Sequence, residues 1–177
     1  MKKLLSVIIL ISCFMPILSK AQCRISKEAL DNGAQSYDGE NICIYKNEDL
    51  ENGIQAAYLQ MIVIQKGNNS SLLQFVVHIS VYSSGSKQLI SPNSVQFKFA
   101  DGQKLEFSTE NILTDLKKGV KVREAIFPIK MNDFKMFQAT NLSAIKITDN
   151  KTNDILICIP DKDAVSKQSN CIAEAVN

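Results

Sequence analysis

The chain is patterned in twos. Val95, Phe97 and Phe99 alternate with Gln96 and Lys98, and further on Leu105 and Phe107 alternate with Lys104 and Glu106. Such alternation predicts strands with one face on a core and the other in water. Asp101-Gly102 lies between the two runs and marks a hairpin. A two-residue Asp-Gly loop would set Phe99 opposite Lys104, although cross-strand partners share a face. A three-residue loop restores agreement. If it is Asp101 to Gln103, Phe99 pairs with Leu105. If it is Ala100 to Gly102, Gly102 takes the left-handed position of a bulged turn. Both placements stay open.

Upstream, residues 72–82 carry one wholly apolar row (Leu73, Phe75, Val77, Ile79, Val81) and one mixed row that includes His78. Two unequal faces suit the middle of a sheet, paired antiparallel with residues 58–65. Further strands are predicted at 41–46, 120–130, 142–147 and 155–159, and the first half of 54–65 is open to helix. In 120–130 the apolar parity shifts between Val122 and Phe127, which predicts a bulge near Glu124-Ala125. Pro128 puts that strand at an edge, or itself at the strand's end. Residues 26–30 read as a helical turn, and 108–119 as a helical turn or loop. At 131–138, Asn132 or Asp133 caps a short helix whose Met131, Phe134 and Phe137 plug the core. Residues 161–177 form a helix with a stripe of Val165, Gln168, Ile172 and Val176, beside Cys171. About seven strands separated by turns, with short helices and a C-terminal helix, make the fold mainly β: a single-domain antiparallel β-sandwich.

The leader changes the charge picture. Lys2 and Lys3 precede an apolar run to Leu18, and Ser19-Lys20-Ala21 follows. A basic end, an apolar middle and a small-x-small site form a secretory signal peptide. Residues 1–21 are therefore read as leader and 22–177 as one β-rich domain, exported to the periplasm or the exterior. A lipid anchor at Cys13, within Leu10-Ile11-Ser12-Cys13, is the competing reading, and cleavage before Gln22 is preferred. Beyond Ala21 there are 17 basic and 18 acidic residues, so the chain's apparent basicity belongs to the leader. No basic patch remains to argue for nucleic acid. After leader removal no transmembrane span is expected.

Four cysteines remain: Cys23, Cys43, Cys158 and Cys171. In an exported chain they allow two disulfides in three connectivities, and any long-range bridge ties the N-terminal segment to the C-terminal one. The competing reading keeps Cys43 and Cys158 as buried free thiols. No cofactor or metal is implied, because neither Cys-x-x-Cys nor His-x-x-x-His occurs. The acidic loop at 47–53 and the Asp149–Asp154 loop hold oxygens of the calcium type, and ordinary turns use the same residues. No catalytic residue is assigned. His78 has no nucleophile motif beside it, and Glu106 and Glu124 have no reason to pair.

The FxFxDGxxLxF hairpin (Phe97 to Phe107), the later strand with its Phe-containing turn and Ile-rich strand, and the leader's Lys-Ala-Gln end resemble small exported β-rich proteins of Bacteroidota-type bacteria. The resemblance implies fold and address and carries over no functional residue. The expectation is an exported non-enzymatic interaction domain, partnered by an unknown protein or envelope component. The alternatives are an envelope-anchored structural subunit and, behind it, a small hydrolase using strand carboxylates or His78.

Overall fold

The computed structural model describes residues 24–31, 33–47, 54–67, 73–83, 90–117 and 120–176. The leader, its cleavage site, Cys23 and all of the acidic loop except Asn47 lie outside them. Two long strands, β4 (Ile54–Lys66) and β5 (Leu73–Ser83), form the centre. They pair antiparallel from Ile54↔Ser83 to Gln65↔Leu73. The segment open to helix at 54–58 is strand from its first residue. Pairing of Ala56 and Ala57 with Tyr82 and Val81 overrides alanine's helical preference. Beyond β5 lie β9 (Val120–Ile129) and then β8 (Ile112–Lys117). On the other side of β4 run β2 (Ala34–Asp38) and β3 (Ile42–Lys46), one after the other along the same edge, with β1 (Ser26–Ala29) outside β2.

The second sheet has the order β11-β10-β6-β7, with β6 at Ser94–Phe99, β7 at Lys104–Ser108, β10 at Leu142–Thr148 and β11 at Ile155–Cys158. Every pairing is antiparallel, and the two sheets face each other across one core. The hairpin takes the Ala100–Gly102 loop: Phe97 pairs with Leu105 and Val95 with Phe107, and Gly102 has φ +90°. Phe97, Phe99, Ile145 and Ile147 of this sheet meet Leu59, Met61, Val77, Ile79 and Phe127 of the first. Helix α1 (Met131–Ala139) plugs the core with Phe134 and Phe137, while Met131, expected beside them, is 44% exposed at the helix start. Phe137 is fully buried, with ring centroids 5.0 Å from Phe97 and 5.4 Å from Phe99, and Phe134 stacks on Phe75. Burial of each such ring contributes roughly 2–3 kcal/mol. The cap of α1 is Lys130, not Asn132 or Asp133. Asp133 instead accepts the Lys130 N–H at 3.2 Å from the first turn. Helix α2 (Ala164–Val176) buries Val165, Gln168, Ser169 and Ile172, close to the expected stripe.

Four further differences have identifiable causes. The described residues hold eleven strands rather than about seven, because short polar segments also pair. Residues 26–29 form β1, drawn into a hairpin with β2 around Gly33, whose φ is +75°. Residues 112–117 are the edge strand β8, and the Leu113 and Leu116 spacing that suggested a helix leaves both exposed. No bulge interrupts β9, whose register with β5 runs unbroken from Ile129 to Lys121. Its parity shifts because Val122 is buried on the outer face, opposite Tyr82, while Ala125, Phe127 and Ile129 face inward. Pro128 lies past the last β8 pair, Ile112↔Ala125, where no neighbour needs its missing N–H. No helix among the described residues is long and apolar enough to cross a membrane.

Candidate functional site

At one end of the sandwich the two sheets part around a polar cleft of about 560 Å³. Its walls come from the start of β6, the β7–β8 connection, the β8–β9 pair and the β10–β11 turn. They include Asn93, Thr109, Glu110, Thr114, Arg123 and Lys151. Arg123 stands on the inward-facing row of β9, where a core residue would be expected. It pairs with Thr114 of β8, and both residues line the cleft. Asp149, only 2% exposed, holds it from behind: Arg123 Nη1 donates to Ser91 Oγ and lies 3.8 Å from Asp149 Oδ2.

Asp149 also organises the loops. Its Oδ2 accepts the Ser91 N–H at 2.8 Å, and its Oδ1 accepts the Lys151 N–H at 3.0 Å. Burial pushes its carboxyl up, but hydrogen bonds from the Ser91 and Lys151 backbone, the Ser91 hydroxyl and the Thr152 backbone outweigh burial and hold it below the usual value. Beside this satisfied carboxylate sits an unsatisfied amide. Asn93 is 8% exposed, and its Oδ1 is, among the described residues, a buried side-chain oxygen with no hydrogen-bond partner. A buried acceptor left so is disfavoured by about 1–3 kcal/mol unless something donates to it.

This site was partly legible in the sequence. Asp149 was legible as the start of an oxygen-rich loop, but its oxygens are engaged by the Ser91 and Lys151 backbone N–H groups and the Arg123 guanidinium. No group of three metal-ligating side chains occurs among the described residues. In the sequence Asn93 falls in a loop segment and Arg123 within the strand at 120–130, and nothing singles either out. His78 lies on the outer face of the first sheet, its Nδ1 3.4 Å from Gln60 Oε1 and opposite Ile126. Glu106 is on the second sheet, next to Gln96, and Glu124 is on the first sheet, between Ser80 and Leu113. Both carboxylates stand on outer faces, on opposite sides of the sandwich, so they make no catalytic pair.

The cysteines gather at another corner. Cys43 and Cys158 are free thiols, so neither fills the disulfide role the sequence offered it. Cys43 is exposed, contrary to the buried-thiol reading, because it pairs with Tyr58 on the outer row of β4 while Ile44 beside it turns inward. The Cys43 Sγ lies 3.5 Å from Tyr45 O. Cys158 faces the core, and burial, reinforced by Cys43, pushes its thiol up to about 12, which makes it inert. Cys171 is disulfide-bonded, and neither of these two is its partner. It lines a second cleft, of about 420 Å³, with Arg24, Ile25 and Cys43.

Near that corner α2 repairs the first sheet. β2 stops at Asp38 and β3 starts at Ile42, which leaves a gap in the ladder along β4. Gln168 fills it: its Oε1 accepts the Met61 N–H at 3.1 Å and its Nε2 donates to Glu40 O. Gly39 is required here because a Cβ would overlap the Gln168 amide. No family model, curated protein or solved structure matches this chain.

Proposed function

We propose that this chain is an exported, non-enzymatic binding domain of the periplasm or cell exterior, and that the polar cleft is its ligand site. The unpartnered Asn93 Oδ1 carries this reading. Asn93 lines a cleft that also holds a pre-positioned cation, Arg123. The Ser91 hydroxyl there is buried and tied into the Arg123–Asp149 network, and no histidine or cysteine lines the cleft, which suits recognition rather than turnover.

The bonded Cys171 supports the address, since disulfides persist in oxidising compartments. Its partner under this reading is Cys23. Cys43 and Cys158 are free, Cys13 leaves with the leader, and Arg24, next to Cys23, lines one cleft with Cys171. The bond then staples the N-terminal segment to α2. Intact mass and non-reducing peptide mapping of protein exported with its own leader test the address. A chain starting at Gln22 with a Cys23–Cys171 peptide is expected, and lipid on Cys13 would overturn it. Binding is tested by ¹H–¹⁵N spectra of protein titrated with sugars, amino acids, short peptides and nucleosides. Saturable shifts at Asn93, Thr114 and Lys151 without conversion of the compound are expected. Shifts from no class, or conversion of the compound, would overturn the reading.

A further inference from the structure

The outer face of the second sheet differs from an evenly polar, solvated face. β11 is the end strand of that sheet among the described residues. Its outer row continues past the strand's end: Ile155, Ile157 and Ile159 are each more than half exposed, while Leu156 and Cys158 between them are buried. Single exposed apolar side chains are common, but three in one row make a ridge. The strand register sets lysines on the same face. Lys146 of β10 pairs with Ile157, and Lys98 of β6 pairs with Lys104 of β7. All three lysines are exposed, and none makes an ion pair among the described residues. Like charges directly opposite one another on a sheet are destabilising, and an anion laid against them relieves the repulsion. The one acid in these outer rows, Glu106, accepts from Gln96 at 3.3 Å.

We propose that this face docks on an anionic lipid bilayer, with the isoleucine ridge among the outermost acyl carbons and Lys146, Lys98 and Lys104 at the level of the headgroup phosphates. Adjacent strands lie about 4.8 Å apart, so the three lysines spread over roughly 15 Å inward from the ridge. Tilting the sheet onto its β11 edge immerses the ridge while the long lysine side chains reach the phosphates. Binding at a bilayer interface grows with the apolar area buried and with attraction to anionic lipid, and this face supplies both. On the outer face of the first sheet, the exposed Leu113 and Ile126 flank Glu124, which an anionic surface repels. The open edge of β11 also suits strand pairing with a second copy. A second copy joined by the same face would bring the same lysines and no acid to meet them, so charge favours the lipid. Lipid binding here needs no ligand in the cleft.

The test is flotation of the chain from Gln22 onward with vesicles of pure phosphatidylcholine and of phosphatidylcholine with one-third phosphatidylglycerol. Binding is expected to the anionic vesicles alone and should weaken as salt is added. Each of Lys98→Gln, Lys104→Gln and Lys146→Gln should weaken it about fivefold, and Ile157→Ser about tenfold. All four positions are exposed, so the urea midpoint should stay where it is. The chain has no Trp, so Ile157→Trp places a lone fluorophore on the ridge and Leu113→Trp places one on the first sheet. Anionic vesicles should shift the emission of the first to the blue and leave the second unchanged. Equal binding to both kinds of vesicle, binding to neither, lysine variants that bind like the parent, or equal shifts at the two positions would each overturn the proposal. A blue shift of Ile157→Trp that grows with protein concentration in the absence of vesicles would overturn it in favour of a second copy.

Discussion

Two amide side chains, equally hidden, serve opposite ends. Gln168 is 9% exposed and Asn93 8%. Gln168 spends its oxygen and its nitrogen on the backbone of β4 and of the Glu40 turn, so it substitutes for a missing stretch of strand. Asn93 spends its oxygen on nothing. Burial alone therefore does not separate a structural polar group from one proposed to meet a ligand. Satisfaction does, because a buried amide left unpaired is disfavoured in the free protein and gains only when a partner arrives.

The comparison is open to direct attack. The largest effect should follow from Gln168→Leu, which orphans the Met61 N–H and Glu40 O. At about 1–3 kcal/mol for each group, urea unfolding should register a loss of about 2–4 kcal/mol. Next comes Gly39→Ala, whose Cβ would push the same amide off its partners. A loss of about 1–3 kcal/mol is expected, and an unchanged midpoint would mean that the gap needs no plug.

Acid should act on the cleft end. The Asp149 carboxyl sits below its ordinary value when folded, so its stabilisation is complete above about pH 4 and fades as pH falls through the folded value. Stability measured between neutral and acid pH should drop less steeply in Asp149→Asn than in the parent. Identical slopes would show that the carboxylate is not selectively stabilised. The smallest effect should be that of Asn93→Leu. It removes an unpaired acceptor and should leave stability unchanged or raise it by up to about 1 kcal/mol, while removing the ligand-induced shifts.

Much of the fold was legible because apolar alternation is strong wherever both faces differ. β4, β5, β6, β7 and β10 were all marked by it, and α2 by its apolar stripe at helical spacing. It failed at the edges. β1, β2 and β8 are polar or bury little, so their strand character comes from pairing with neighbours and not from their own pattern. It also misled in β9, where an apolar outer face mimicked a bulge. The cleft was nearly invisible for a different reason. Arg123 and Asn93 are about 30 residues apart, and only the meeting of two sheets makes them neighbours. Of the four cysteines, arithmetic identified a possible staple but not its members. Cys43 and Cys158 are excluded by the side each presents, which spacing does not encode.

The most direct measurement is urea unfolding of Asn93→Leu beside Gln168→Leu under identical conditions. The expected result is a loss of at least about 2 kcal/mol for Gln168→Leu and none for Asn93→Leu. Equal losses in both would contradict it, since Asn93 would then be holding the fold together rather than waiting for a ligand.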